Sequence, residues 1–184
     1  MTQRGFTIIE LLVAVAVISA LLIIVISNFP YTRLQFSLSR VTHQFAQDVS
    51  RAQNMALSAV PYKDSFDVEQ NVDGYGLYVD FDSLGNKKYI IYADRNPGNQ
   101  QYDALDYVVG TVDFSSTEPE IIIKEISNVS GNNASVNFNS SNLTTTITQL
   151  NAGQNSVIVV FALASDLTKT KTVSINSSGL IEVK

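Results

Sequence analysis

Apolar and polar positions follow three successive patterns along this chain. From Phe6 to Ile26, 21 residues are apolar almost without interruption, broken by Thr7, Glu10 and Ser19. At 1.5 Å per residue a helix of that length crosses a hydrocarbon core of about 30 Å. Asn28-Phe29-Pro30 ends the run, and the proline predicts a kink or about one turn of local unwinding. From Leu34 the apolar residues recur at 34, 38, 41, 45, 49, 52 and 56, one face of an amphipathic helix that ends near Val60-Pro61.

Beyond Pro61 the period drops towards two. Strands are predicted at Gly76–Phe81, Lys88–Ala93, Tyr107–Phe114, Glu120–Ile126, Ser135–Phe138, Leu143–Gln149, Ser156–Leu163, Thr170–Ile175 and Leu180–Val183. Turn residues such as Ser83-Leu84-Gly85-Asn86 and Asn176-Ser177-Ser178-Gly179 separate them. The expected fold is α+β: a long N-terminal helix, apolar at 6–29 and amphipathic at 30–60, packed on an antiparallel head formed by residues 61–184.

Composition narrows what such a chain can do. It has 184 residues, 45% hydrophobic, with one His and no Cys or Trp. No disulfide or thiolate metal site can form. One His without Cys also removes the commonest nucleophile–base pairs, and neither a glycine-rich phosphate loop nor a His cluster is present. The expectation is a structural protein, not an enzyme. The net charge is −5, and residues 61–125 concentrate it with 13 acids against 5 bases. An acidic head disfavours nucleic acid, whose binding rests on phosphate neutralisation. Lys169, Lys171 and Lys184 are the basic residues nearest to an exception.

Glu10 needs its own explanation, because an acid inside a spanning segment costs about 2.5–3.5 kcal/mol at mid-membrane and less near an interface. A secretory signal has a shorter apolar core and a small-residue cleavage site after it, neither of which is present. A plain anchor accounts for the length and leaves Glu10 as a cost. Flanking charge does not orient the span, since Arg4 faces Arg33 and Arg40 across it.

The stretch Arg4-Gly5-Phe6-Thr7-Ile8-Ile9-Glu10-Leu11-Leu12-Val13 resembles the class III signal of type IV pilins and type II secretion pseudopilins. That resemblance implies a leader at 1–5, cleavage after Gly5 by prepilin peptidase, and methylation of the new Phe6 amine. It also implies storage in the inner membrane with the head outside, then assembly with other subunits through an inner-membrane platform. The new Phe6 amine and Glu10 are two poorly solvated charges, and a neighbouring helix offset along the axis would pair them. The helix-then-sheet order, the stretch DVSRAQNMALS and the ending TKTVSINSSGLIEVK are similar to H-type minor pseudopilins and FimT-like minor pilins. The missing cysteine pair departs from many Gram-negative pilins. The function implied is a minor subunit of a type IV pilus or a type II secretion pseudopilus. A DNA-binding minor pilin and a membrane-anchored surface adhesin are the alternatives.

One further stretch holds candidate chemistry. In YADRNPGNQQYDALDY, residues 92–107, Asp94, Asn96, Asn99, Asp103 and Asp106 place oxygen donors along a loop between two strands. Hard cations such as Ca²⁺ take six to eight oxygens, although the spacing is not that of an EF-hand and Pro97 interrupts it. The competing reading is an Asp/Asn turn with solvated carboxylates. His43 falls off the apolar stripe and is expected in solvent. Triplets such as Asn133-Ala134-Ser135 and Asn142-Leu143-Thr144 match glycosylation acceptors by composition alone.

Overall fold

The computed structural model describes residues 7–64 and 66–184, the side chains of residues 27 and 28 excepted. Two compact units are distinguished, Met1–Phe36 and Ser37–Lys184. A helix, α1, runs Ile8–Leu57 with Pro30 inside it. Of the kink or unwound turn expected at Pro30, the unwound turn does not occur. Proline removes one hydrogen bond, and helical residues on both sides carry the backbone through it. The side chains described from Ile8 to Ile26 are all exposed.

From Ser37 the expected stripe is buried. Leu38, Val41, Phe45, Val49, Ala52 and Ala56 are each at most 3% exposed, whereas Leu34 is half-exposed. Thr42, on the same face, satisfies its hydroxyl by donating to the Leu38 carbonyl at 2.7 Å. His43 is exposed.

The helix closes in a way its sequence does not advertise. Val60 N–H donates to the Met55 carbonyl and Ala59 N–H to that of Ala56, with Ala59 at φ 45°. This is a Schellman motif with alanine where glycine is usual, and Pro61 follows it. The left-handed conformation costs a non-glycine residue about 1–2 kcal/mol, and glycine returns part of that gain as unfolded-state entropy. Ala59→Gly is therefore expected to stabilise the head by about 0.5–1 kcal/mol, read as a melting temperature raised by roughly 2–4 °C.

Among the described residues the head has eleven strands: β1 Tyr62–Lys63, β2 Glu69–Gln70, β3 Val72–Asp80, β4 Lys88–Arg95, β5 Tyr107–Asp113, β6 Ile121–Ser127, β7 Asn133–Asn139, β8 Thr145–Ile147, β9 Ser156–Leu163, β10 Asp166–Asn176 and β11 Ile181–Val183. They form a five-stranded sheet in the order β5-β4-β3-β7-β8, a four-stranded sheet in the order β11-β10-β9-β6, and the small pair β1-β2. Every pairing is antiparallel. The nine expected strands are all present, and β1 and β2 are additional.

Part of the core lies where α1 meets both sheets. The Phe45 ring stands edge-on to Tyr89 of β4, with centroids 4.9 Å apart, and to Phe161 of β9 at 5.4 Å. Tyr89 sends its hydroxyl to Asp48 Oδ2 at 2.6 Å, and Gln53 Nε2 donates to the Gly179 carbonyl before the last strand. Burial, with the Asp48 hydrogen bond behind it, raises the Tyr89 pKa and keeps this phenol protonated.

Side chains alternate across β3. Tyr75, Leu77 and Val79 are buried on one face. On the other, Gly74 and Gly76 stand opposite Asp94 and Tyr92 of β4, and opposite Asn139 and Asn137 of β7. A Cβ at Gly76 would lie 2.7 Å from the Tyr92 ring and 2.3 Å from the Val136 carbonyl oxygen. The missing side chains let groups from β4 and β7 meet over β3. Asn137 Nδ2 donates to the Tyr92 hydroxyl at 3.3 Å and to Asp94 Oδ2 at 3.2 Å. This face of the sheet is therefore polar, and the β4–β5 loop covers it.

Candidate functional site

The β4–β5 loop folds back across the polar face of the five-stranded sheet. Tyr102 lies 4.6 Å from the Tyr78 ring and 5.3 Å from Tyr92, and its N–H donates to Ser135 Oγ at 3.1 Å. Further along, the Thr146 hydroxyl of β8 donates to Gln100 Oε1 at 2.6 Å. The end of β4 and the loop itself enclose a cavity of about 300 Å³, lined by Asp94, Arg95, Asn96, Asn99, Asp103 and Asp106, with Pro97 and Leu105 beside them.

The five oxygen-bearing residues expected to act together are divided by the structure. Asp94 and Asp106 have their carboxyl groups within hydrogen-bonding reach of each other. Asp103 accepts from Asn99 Nδ2 at 2.7 Å and from Leu105 N–H at 2.7 Å, while Asn99 Oδ1 accepts from Gln101 N–H at 3.1 Å. Asn96 turns its amide to Asp73 Oδ1. Among the described residues no three His, Cys, Asp or Glu side chains converge on one metal position.

Asp94 is the unusual member. It is 1% exposed; Oδ2 accepts from Gln100 N–H at 2.9 Å and from Asn137, and Oδ1 accepts no hydrogen bond from the protein. Desolvation raises its pKa to about 6 against the Gln100 and Asn99 N–H groups, with Asp106 and Asp73 adding repulsion. Asp106 is raised too, by desolvation first, although Arg95 N–H and Asp103 N–H each donate to it, at 3.0 and 2.8 Å. Arg95 makes no ion pair with these acids among the described residues, and its guanidinium carbon lies 5.8 Å from the centre of the Tyr107 ring.

At the other end of the chain, Thr7 precedes the first helical residue and accepts a hydrogen bond on Oγ1 from Glu10 N–H at 3.3 Å. The same hydroxyl donates to Glu10 Oε2 at 3.5 Å, and Leu11 N–H closes the first turn on the Thr7 carbonyl. Thr7 is thus the N-cap and Glu10 the third helical residue, the positions of a capping box. Gly5 and Phe6, expected to flank the cleavage point, lie outside the described residues, as does the leader at 1–5.

Residues 1–26 match the prokaryotic N-terminal methylation motif. This motif is the class III signal of type IV pilin-like and pseudopilin precursors, and it implies processing by prepilin peptidase and assembly with other pilin subunits. Its match covers Gly5, Phe6, Thr7 and Glu10 together with the apolar run to Ile26. α1 is long and apolar enough near its start to cross a membrane, which fits the motif. Comparisons with curated proteins and with solved structures found no significant match.

Three participants were missed from sequence. Thr7 was legible, since Thr-x-x-Glu before an apolar run is a capping signal. Asp73 and Asn137 were not, because strand register brings them to the loop from β3 and β7, and no local pattern encodes that. The lysines offered as a basic face are thinly spread: Lys184 pairs with Glu182 at 3.0 Å, Lys169 is exposed and Lys171 half-buried.

Proposed function

We propose that the chain is a structural, non-enzymatic subunit, a minor pilin or pseudopilin, of a type IV pilus or a type II secretion pseudopilus. The observation that carries this reading is the methylation-motif match at residues 1–26. Support comes from the exposed apolar face of α1 at Ile8–Ile26 and from a helix stripe buried in an antiparallel head. On this reading the apolar half of α1 holds the precursor in the inner membrane among lipid, with the head on the outer side. Prepilin peptidase removes residues 1–5, Phe6 becomes the methylated terminus, and the assembly platform moves the subunit into a filament of like helices.

In that filament the exposed leucines, valines and isoleucines of α1 pack on neighbours, and Glu10 meets the Phe6 amine of an adjacent subunit. The H-type, FimT-like subclass is proposed on the helix-then-sheet order and the C-terminal β10–β11 hairpin.

Processing is the direct test. Intact-mass spectrometry of the chain extracted from membranes of cells that contain the peptidase is expected to give a species starting at Phe6 and carrying one methyl group. A chain retaining Met1–Gly5 in those cells would remove the assignment.

A further inference from the structure

The acidic cavity within the β4–β5 loop is not completed by the loop's own hydrogen bonds. Asp94 lies on a central strand, is 1% exposed, and lines the cavity with Oδ1 receiving no donor. The Gly98 backbone packs directly on that carboxylate, where a Cβ would lie 2.6 Å from its atoms. Asp106 from the other end of the loop is set against it, and Asp73 stands behind, engaged with Gly98 N–H at 2.6 Å. The nearest base, Arg95, lies over the Tyr107 ring. Two carboxylates, one at the end of β4 and one just before β5, are thus brought together at the cavity wall, with one buried Asp94 oxygen receiving no donor.

We propose that Asp94 and Asp106 hold a calcium ion in this cavity. Both side chains offer hard oxygen, the ligand class calcium prefers. Asn96 also lines the cavity, and calcium accepts irregular sets of six to eight oxygen ligands that include water. Magnesium demands a near-ideal octahedron and is the poorer fit to a pair flanked by a mixed loop. The ion would tie β4 to the start of β5 and hold the loop over the polar face of the sheet. It would also remove the repulsion between the two carboxylates.

The test uses the whole chain in detergent micelles near pH 7.5, melted in EGTA, in about 1 mM CaCl₂ and in the same concentration of MgCl₂. Calcium is expected to raise the melting temperature by roughly 5–10 °C for a dissociation constant near 10 µM, with a smaller shift from magnesium. Asp106→Asn keeps the shape and removes one charge. It is expected to melt in EGTA at or above the unmodified chain and to lose the calcium shift, whereas Asp166→Asn, at the start of β10, keeps it. Asp94→Asn serves in the same way should Asp106→Asn fail to fold. Identical melting of the unmodified chain in calcium and EGTA would overturn the site and leave a proton as the group that neutralises the pair. A shift that persists in Asp106→Asn, or one equal in magnesium, would overturn the assignment as well.

Discussion

Glu10→Val is expected to leave the chain processed and membrane-bound and to remove it from filaments. Inside a spanning helix the carboxylate opposes insertion, by up to about 2.5–3.5 kcal/mol at mid-membrane and less near the interface, so valine inserts at least as well. What it loses is a partner for the Phe6 amine of a neighbour. Breaking one side of a poorly solvated ion pair costs roughly 3–5 kcal/mol, more than a hundredfold in an association constant. The capping box introduces a second role that the charge argument alone would overlook, since Thr7 and Glu10 also close the first turn of α1. Two further variants separate the roles. Glu10→Gln retains a side chain suited to a capping box and removes the charge. Thr7→Ala removes the cap, typically worth about 1 kcal/mol, and retains the charge. Fractionating cells into membrane and sheared filaments should find Glu10→Gln excluded like Glu10→Val, and Thr7→Ala incorporated. Normal incorporation of Glu10→Gln would mean that capping, not pairing, is what the acid contributes, and the plain-anchor reading would regain its place.

The fold was largely legible because its two strongest periodicities are local. The helix stripe from Leu38 to Ala56 is buried at every position, and each expected strand exists within a few residues of its expected ends. Of the kink or unwinding expected at Pro30, the unwinding did not occur, because one missing hydrogen bond is a weak signal inside 50 helical residues. The small β1–β2 pair was missed for a different reason. Its strands are two residues long and have no alternation to detect, and Asp64 holds the turn between them by accepting from Phe66 and Val68 N–H groups. The site was legible in its residue types and not in its arrangement. Counting oxygens along residues 94–106 found Asp94 and Asp106 but placed Asn99 and Asp103 with them, when those two bond each other. That the polar side of the sheet is roofed by this loop follows from Gly74 and Gly76 lying between Asp94, Tyr92 and Asn137. Such cross-strand proximity is a property of register and is invisible in a linear reading.

Phe45→Ala is expected to be the most damaging single truncation in the head. The residue is 1% exposed, and its ring packs α1 edge-on against both Tyr89 of the five-stranded sheet and Phe161 of the four-stranded sheet. Removing a buried phenylalanine costs about 3–5 kcal/mol through lost transfer energy and the cavity left behind. Two edge-to-face pairs are lost with it, each worth about 0.5–1.5 kcal/mol, part of which that range already contains. The space cannot close easily, because Tyr89 is fixed by its hydrogen bond to Asp48 and Phe161 is flanked by Val159 and Leu163 in a paired central strand. Against a typical total of 5–15 kcal/mol, the loss takes a large fraction of the stability. It should lower the melting temperature by roughly 10–20 °C. Tyrosine fluorescence is a suitable probe, since the chain has no tryptophan and seven of its eight tyrosines lie between residues 62 and 107. Leu34→Ala, at the half-exposed start of the same stripe, is the comparison and should shift the midpoint far less. Equal losses from the two would show that the stripe acts through helix propensity and membrane contact, and that the Phe45 cluster does not join the two sheets energetically.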